Sequence, residues 1–378
     1  MSKPERRLIY EGSVKNLWEV DSRSLEFEYT NAYSVFDWGR MPNELAYKGE
    51  SLAALGAFFF TALGRAESWK KTSASEWFAP LEPSLREAIE ERLVALKATG
   101  LRHHFLDRPA PNKLLVQRVA IPEPAVEKIA GQTLYHYRAG SFGASPEMAS
   151  KLVPLEVVFR FGMPEGSSLI ERLTPEYAQQ MGFDSLPEVG SLFAMPVLEF
   201  FTKLEDTDRF LTWEQALNYS GLDFTQFKEL VASSFCIAVW LAEFFQSKGL
   251  ELWDGKVEWG LIDGKLALVD SIGPDELRLI DPKSGTQISK EFLRLFYRKT
   301  PWFQEVKEAK REANLDPKID WKDRVRQRAG EPPLLTAAFS DAADVLYPSL
   351  ALAVCGENPG LRGLPLNQAL ERIRRCLA

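Results

Sequence analysis

The apolar positions change period along the chain, and the changes mark its elements. Residues 8–10 and 17–20 read as extended segments on either side of Glu11-Gly12-Ser13-Val14-Lys15. Residues 24–29, Ser-Leu-Glu-Phe-Glu-Tyr, alternate polar and apolar with period two, which predicts a half-buried strand. Residues 42–49 are loop-like, and Ser51 opens an apolar helix that runs to Leu63. Residues 85–98 have helical spacing, with Ser84 and Glu87 placed as a capping box and Gly100 as a stop. Residues 113–119 and 152–160 read as strands. Thr212 and Glu214 stand near the start of a short helix over 212–218.

The clearest helix covers 224–248, where Phe224, Phe227, Leu230, Val231, Ile237, Leu241, Phe244 and Phe245 recur at helical spacing before Lys248-Gly249. Asp263-Gly264 is a hairpin signal between two further strands. From Glu291 the pattern is helical and charged, Glu331-Pro332-Pro333 breaks it, and two or three helices follow. Residues 122–148 fit no single period. They read as a surface insertion, a short hairpin or helix, carrying Tyr135-His136-Tyr137. With strands leading and helices closing, the class is α+β or mixed α/β, in two lobes.

Composition narrows the function. At 378 residues with 45% hydrophobic and 26% charged positions, the chain has ample core for two or three domains. No run of about 18 apolar residues stands out as a membrane span. Met1-Ser2-Lys3-Pro4-Glu5-Arg6-Arg7 has no apolar stretch behind it, so no secretory signal is expected. Cys236, Cys355 and Cys376 are few and far apart, which suits a reducing cytoplasm. A net charge of −7 argues against a nucleic-acid partner. Three histidines, His103, His104 and His136, argue against a His-based metal site.

Most of the candidate chemistry lies in 251–278. In a strand, Asp254, Lys256 and Glu258 share one face. Asp270 follows across the hairpin. A two-residue loop at Asp263-Gly264 sends Asp270 to the opposite face; a three-residue loop puts it on the same face. In the second register two carboxylates and an ammonium converge; Mg²⁺ takes few carboxylates and shares the rest of its shell with phosphates and water, so that geometry suits a nucleotide-dependent enzyme. The same residues also read as a solvated hairpin face. A Gly12 turn with Lys15 lets backbone N–H groups approach phosphate, and it also reads as a plain hairpin turn. Arg160, followed by Gly166-Ser167-Ser168, suits a phosphate monoester. Lys203 precedes Glu205, Asp206 and Asp208 and also reads as part of a charged loop. No Ser–His–Asp or Cys–His arrangement is evident.

Taken in order, these pieces resemble the SAICAR synthetases, the phosphoribosylaminoimidazole-succinocarboxamide synthases. Tyr10-Glu11-Gly12-Ser13-Val14-Lys15 is similar to the family's phosphate turn, and Ser34-Val35-Phe36-Asp37 to its Ser-x-Phe/Tyr-Asp motif. Pro42…Lys48-Gly49 is similar to its Pro…Lys-Gly loop. Pro154-Leu155-Glu156-Val157-Val158-Phe159-Arg160 carries its Pro-Leu-Glu-Val-Val-x-Arg signature, with Gly166-Ser167 after it. Glu199…Lys203, Asp254-x-Lys256-x-Glu258-x-Gly260 and Asp270…Pro274-Asp275…Arg278 complete the match, which runs from about residue 8 to residue 300.

The resemblance implies an α+β, two-lobed, ATP-grasp-like and kinase-related fold, with antiparallel sheets, flanking helices and a helical C-terminal extension. It implies an ATP-binding lobe over 1–120, an insertion over 121–150 near the interlobe hinge, a substrate and metal lobe over 151–300, and an extension over 301–378 packed on the core. The implied reaction joins carboxyaminoimidazole ribonucleotide (CAIR) and L-aspartate at the expense of ATP with Mg²⁺, giving SAICAR, ADP and phosphate.

By carry-over, Gly12, Ser13, Lys15, Arg118 and Lys203 hold ATP, and Glu258 and Asp270 hold the metal. Lys203, Lys256 and Asp275 are catalytic. Ser34, Asp37, Arg160, Ser167 and Arg278 bind substrate. No membrane or nucleic acid is implied. The insertion is placed to reshape the nucleotide pocket or to serve a homodimer contact. Ser13 stands where the family has Lys, Ser271 where it has an acid, and Gly273 where it has Ser. These departures keep two alternatives open: a related carboxylate–amine ligase with another substrate, and a non-catalytic nucleotide-binding member.

Overall fold

A computed structural model describes residues 6–73, 75–129, 132–136, 150–205, 208–316, 318–356 and 362–377. In chain order its elements are β1 (Arg7–Glu11), β2 (Lys15–Glu19), β3 (Ser24–Tyr29), α1 (Lys48–Leu63), α2 (Ala66–Trp69), α3 (Ser75–Phe78), α4 (Pro83–Thr99), β4 (Phe105–Ala110), β5 (Lys113–Gln117), β6 (Ala125–Ile129) and β7 (Gln132–His136). There follow β8 (Lys151–Gly162), α5 (Pro175–Gln180), β9 (Leu192–Thr202), β10 (Phe210–Leu211), α6 (Trp213–Ser220), α7 (Phe224–Ser247), β11 (Glu251–Ile262), β12 (Lys265–Val269), β13 (Leu277–Asp281), β14 (Thr286–Gln287), α8 (Lys290–Arg298), α9 (Pro301–Leu315), α10 (Trp321–Ala329), α11 (Ala337–Cys355) and α12 (Leu366–Leu377).

These elements form two compact units, neither of them continuous in sequence. The first takes residues 1–57, 107–115 and 280–378; the second takes 58–106 and 116–279. The expected segments 1–120 and 151–300 are contiguous, so the units differ from them. Residues 58–106 group with the second unit because α4 packs on α7, with Cys236 of α7 facing the Ile89 carbonyl of α4.

The first unit is built on a sheet of order β1-β2-β3-β5-β4. Helices from the far end of the chain complete it. Trp38 packs edge-on against Trp302 and Trp321, and Phe292 of α8 stacks on Phe339 of α11 at 4.3 Å. Lys48 is fully buried, with its ammonium 5.1 Å from the Tyr347 ring centre.

The second unit is built on a sheet of order β10-β9-β8-β11-β13, with β12 also paired to β11. Helix α7 fills its core, with fifteen of its 24 residues buried. By length and composition α7 and α11 could cross a membrane, but 78% of the apolar window of α7 lies inside the protein. A run of 18 purely apolar residues is therefore too strict a criterion for a core helix such as α7. Capping boxes start two helices of this unit, Thr212–Gln215 at α6 and Asp223–Gln226 at α7.

The start of α4 departs from expectation. Pro83 takes the first turn, and the Glu82 carboxylate accepts from the Ser84 and Leu85 N–H groups. The sequence had placed that cap at Ser84 with Glu87. Pro lacks an N–H and has a pre-set φ, so the helix begins before the serine. Of the insertion, β6 and β7 form an exposed antiparallel hairpin; residues 137–149, with Tyr137, lie outside the described residues, as does Asp206.

Candidate active site

Three strands of the second unit present their polar side chains on one face. Register pairs Asp254 with Arg160, Lys256 with Val158 and Glu258 with Glu156; β9 adds Glu199 beside Val158. Paired residues share a face, so Arg160, Glu156, Glu199, Asp254, Lys256 and Glu258 lie together. The opposite face is apolar and meets α7, where the Trp259 indole donates to Ser234 Oγ at 3.0 Å.

At one end of this face is an arginine cluster. Arg160 Nε donates to Glu199 Oε2 at 2.5 Å, and its other nitrogens reach Ser167 Oγ at 3.4 Å, Ser168 Oγ at 3.2 Å and Asp254 Oδ2 at 3.4 Å. Arg172 donates to Glu199 Oε1 at 2.9 Å, and the Tyr177 hydroxyl donates to the same oxygen at 3.0 Å. Arg278 lies 3.4 Å from Asp254 Oδ2. Burial alone would raise the Glu199 pKa, but Arg160 and Arg172 hold it below its ordinary value. Three guanidinium groups face two carboxylates, which leaves one positive charge in excess beside two serine hydroxyls. That is a setting for a phosphate monoester.

At the other end is a cluster with the opposite balance. Lys203 Nζ lies 2.7 Å from Glu156 Oε1 and 2.8 Å from Glu258 Oε1. Lys256 Nζ lies 2.5 Å from Glu156 Oε1 and 4.0 Å from Glu258 Oε1. Burial pushes the Glu258 pKa up to about 7, and the Asp270 carboxylate adds to the rise against the pull of both lysines. The neighbouring acids outweigh burial at both lysines and raise their pKa values. Three carboxylates thus face two ammonium groups. Glu258 Oε1 is buried and makes no well-angled hydrogen bond, although Lys203 is near. Glu258, raised chiefly by burial and further by Asp270, forms with it a pair of hard oxygen donors of the kind a divalent cation takes.

Asp270 reaches this cluster by a route that strand alternation misses. Ile262 pairs with Lys265, so the hairpin loop has two residues, both with positive φ. Glu258 then pairs with Val269, and an extended Asp270 would point to the other face. Instead β12 ends at Val269, and Asp270 adopts φ 62°. That left-handed residue redirects the carboxylate toward Glu258 and Lys203. The expected link between loop length and face fails because it assumed extended backbone through residue 270.

The remaining candidates belong to other places. In the first unit the Gly12 N–H donates to the Lys15 carbonyl at 3.1 Å, and a Cβ on Gly12 would lie 2.5 Å from that oxygen, so only glycine fits. Lys15 Nζ sits 4.3 Å from the Phe27 ring centre, and Ser13 is half-buried. Ser34 and Asp37 lie on a loop of the same unit, where Asp37 pairs with Lys310 at 2.6 Å. In the second unit, Arg118 follows β5 and Asp275 lies in the turn before β13.

The model of the SAICAR synthetase family matches residues 8–310. A protein of Archaeoglobus fulgidus, whose name as a phosphoribosylaminoimidazole-succinocarboxamide synthase is provisional, is 31% identical over 91% of this chain and 93% of its own length. The chain belongs to the SAICAR synthetase family. The phosphoribosylaminoimidazole-succinocarboxamide synthase of Thermoplasma volcanium is 27% identical over 83% of this chain and 90% of its own. The SAICAR synthase of Saccharomyces cerevisiae, solved with SAICAR, shares the fold with a TM-score of 0.54 at 19% identity, over 93% of this chain and 96% of that one. Membership makes this chain a ligase of purine biosynthesis that joins CAIR and L-aspartate into SAICAR.

Within this SAICAR synthetase the second unit gathers Arg160, Ser167 and Arg278 in one cluster and Lys203, Lys256, Glu258 and Asp270 in another. No role is expected from sequence for Glu156, Arg172 or Tyr177, whereas Ser168 stands beside Ser167 in the phosphate reading. For Glu156 a signal was present: it lies four residues before Arg160 in one strand and so shares its face.

Proposed function

We propose that CAIR lies along this sheet face, its phosphate held by Arg160, Ser167 and Arg278 and its carboxylate beside Glu258 and Asp270. One observation carries the reading: the arginine cluster and the carboxylate cluster occupy one face, and Arg160 and Glu156 are four residues apart in β8. That spacing is about 13 Å along a strand. A nucleotide with an anionic group at each end suits such a spacing.

Glu258 and Asp270 fit Mg²⁺, because the pair is acid-rich and Glu258 Oε1 is a buried acceptor without a well-angled hydrogen bond. Bound there, Mg²⁺ would neutralise charge on the transferring phosphoryl group. The chain's own residues do the rest. A carboxylate is a poor electrophile until ATP phosphorylates it; the acyl phosphate is then attacked by the aspartate amine, and phosphate leaves. Lys203 and Lys256 place fixed positive charge where the phosphoryl oxygens pass. Asp275 orients the substrate. Gly12, Ser13, Lys15, Arg118 and Lys203 are assigned to ATP, and Ser34 and Asp37 to substrate. Cys236, Cys355 and Cys376 are all free thiols, which fits the cytoplasm we assign.

The test is ADP release with Mg·ATP, CAIR and L-aspartate, each omitted in turn. Release should need all three and yield SAICAR. Asp270→Asn should lower the rate at least about 100-fold with the fold intact. Release without CAIR, or a near-normal rate in Asp270→Asn, would overturn the reading.

A further inference from the structure

His104 is 1% exposed, and the reaction as derived gives it no task. Its backbone is clamped on both sides. The His104 N–H donates to the Leu268 carbonyl at 3.0 Å, and the Leu268 N–H donates to the Arg102 carbonyl at 2.9 Å. The His104 carbonyl accepts from the Gln117 N–H at 2.7 Å. The segment therefore runs parallel to β12. Phe60 packs edge-on against the imidazole at 5.1 Å.

So held, the ring reaches past the end of β12. His104 Nε2 lies 3.1 Å from the backbone carbonyl oxygen of Asp270. A carbonyl can only accept, so Nε2 carries the proton in this contact. The carbonyl belongs to the one residue whose left-handed φ of 62° brings its carboxylate to Glu258. Were that peptide to relax to extended geometry, alternation would carry the carboxylate to the other side of the sheet.

We infer that His104 is a positioning residue for Asp270: its Nε2–H pins the Asp270 peptide in the left-handed conformation that turns the carboxylate toward Glu258. This rests on the reading of Glu258 and Asp270 as metal ligands. It assigns His104 no contact with metal or substrate. It acts on the ligand's backbone, as groups just outside a metal site commonly act on ligand side chains.

The experiment is a titration of the full chain with Mn²⁺ alone, in which electron paramagnetic resonance counts the free ion and circular dichroism monitors folding. His104→Phe keeps a ring against Phe60 and removes the donor. It should weaken Mn²⁺ binding by about 10-fold or more. His104→Gln, whose amide N–H reaches a similar distance, should recover most of that loss. Asp270→Asn separates the two claims. If Asp270→Asn loses Mn²⁺ while a folded His104→Phe binds as the wild type does, the role of His104 is overturned and the metal reading stands. If Asp270→Asn binds as the wild type does, or the wild type does not bind, the metal reading falls and this inference falls with it. Should His104→Phe fail to fold, nitrogen-15 spectra of histidine-labelled wild type decide: the Nε2–H tautomer at His104 is expected, and the Nδ1–H tautomer overturns the inference.

Discussion

Glu258 shows how one side chain ties stability to pH. Its folded pKa is near 7, raised by burial and then by Asp270, against an ordinary value of 4.5. Between those values the folded chain holds a proton that the unfolded chain has released. The stabilising contribution is therefore present below about pH 4.5 and is lost as pH rises through about 7. Without metal, stability should fall between pH 5 and pH 8 by on the order of 2 kcal/mol from this group. Urea unfolding in chelator measures it. Glu258→Gln should flatten the change, and Mg²⁺ should restore stability at pH 8. A wild-type slope unchanged in Glu258→Gln would show that other groups set it. The shared face of Arg160 and Glu258 was legible in the sequence, because each stands at a fixed place in a strand pattern, whereas Ser167 lies in the turn region after β8. The place of Asp270 was not legible, since no periodicity announces one left-handed residue. Tyr177 and Arg172 meet Glu199 from a separate segment, a closeness that only the folded chain creates.

At the scale of elements, β11 does most to build the site. Its twelve residues alternate between the polar face and the α7 face, and it pairs with both β8 and β12. Gly255 lies on the apolar face between Asp254 and Lys256. A Cβ there would lie 2.5 Å from Phe159 Cζ and 2.6 Å from Leu277 Cδ2. Both side chains are buried, so neither can swing away freely. Gly255→Ala should destabilise by about 1–3 kcal/mol and also disturb the polar residues on either side. Thermal unfolding and the half-saturating CAIR concentration check the two effects; an unchanged Tm would mean that the sheet yields more easily than its packing suggests. Strand β3 and helix α7 follow their sequence patterns closely, because each has one dominant period. The cap of α4 did not, because a proline and a preceding carboxylate override the more familiar serine signal.

At the scale of the molecule, the two units were the least legible feature. No linker or shift in composition marks them, because each is assembled from segments far apart in sequence. The first unit depends on the helices that follow residue 280. Asp344 of α11 accepts from the Ala46 N–H at 2.7 Å, and Asn43 accepts from the Leu335 N–H at 2.8 Å. A chain cut after residue 331 should therefore lose order in the first unit. Limited proteolysis should cut residues 1–57 much faster in that variant than in the whole chain, and equal rates would show that α11 and α12 are dispensable. The same arrangement sets a schedule during synthesis. Residues 1–57 leave the ribosome first, yet their partners from 280 onward follow some 223 residues later. At 5–20 residues per second that is a delay of roughly 10–45 s. Through that interval Trp38 and Lys48 lack the helices that cover them in the folded chain, so a nascent protein of this design has most need of a chaperone early, before the last quarter of its message is read.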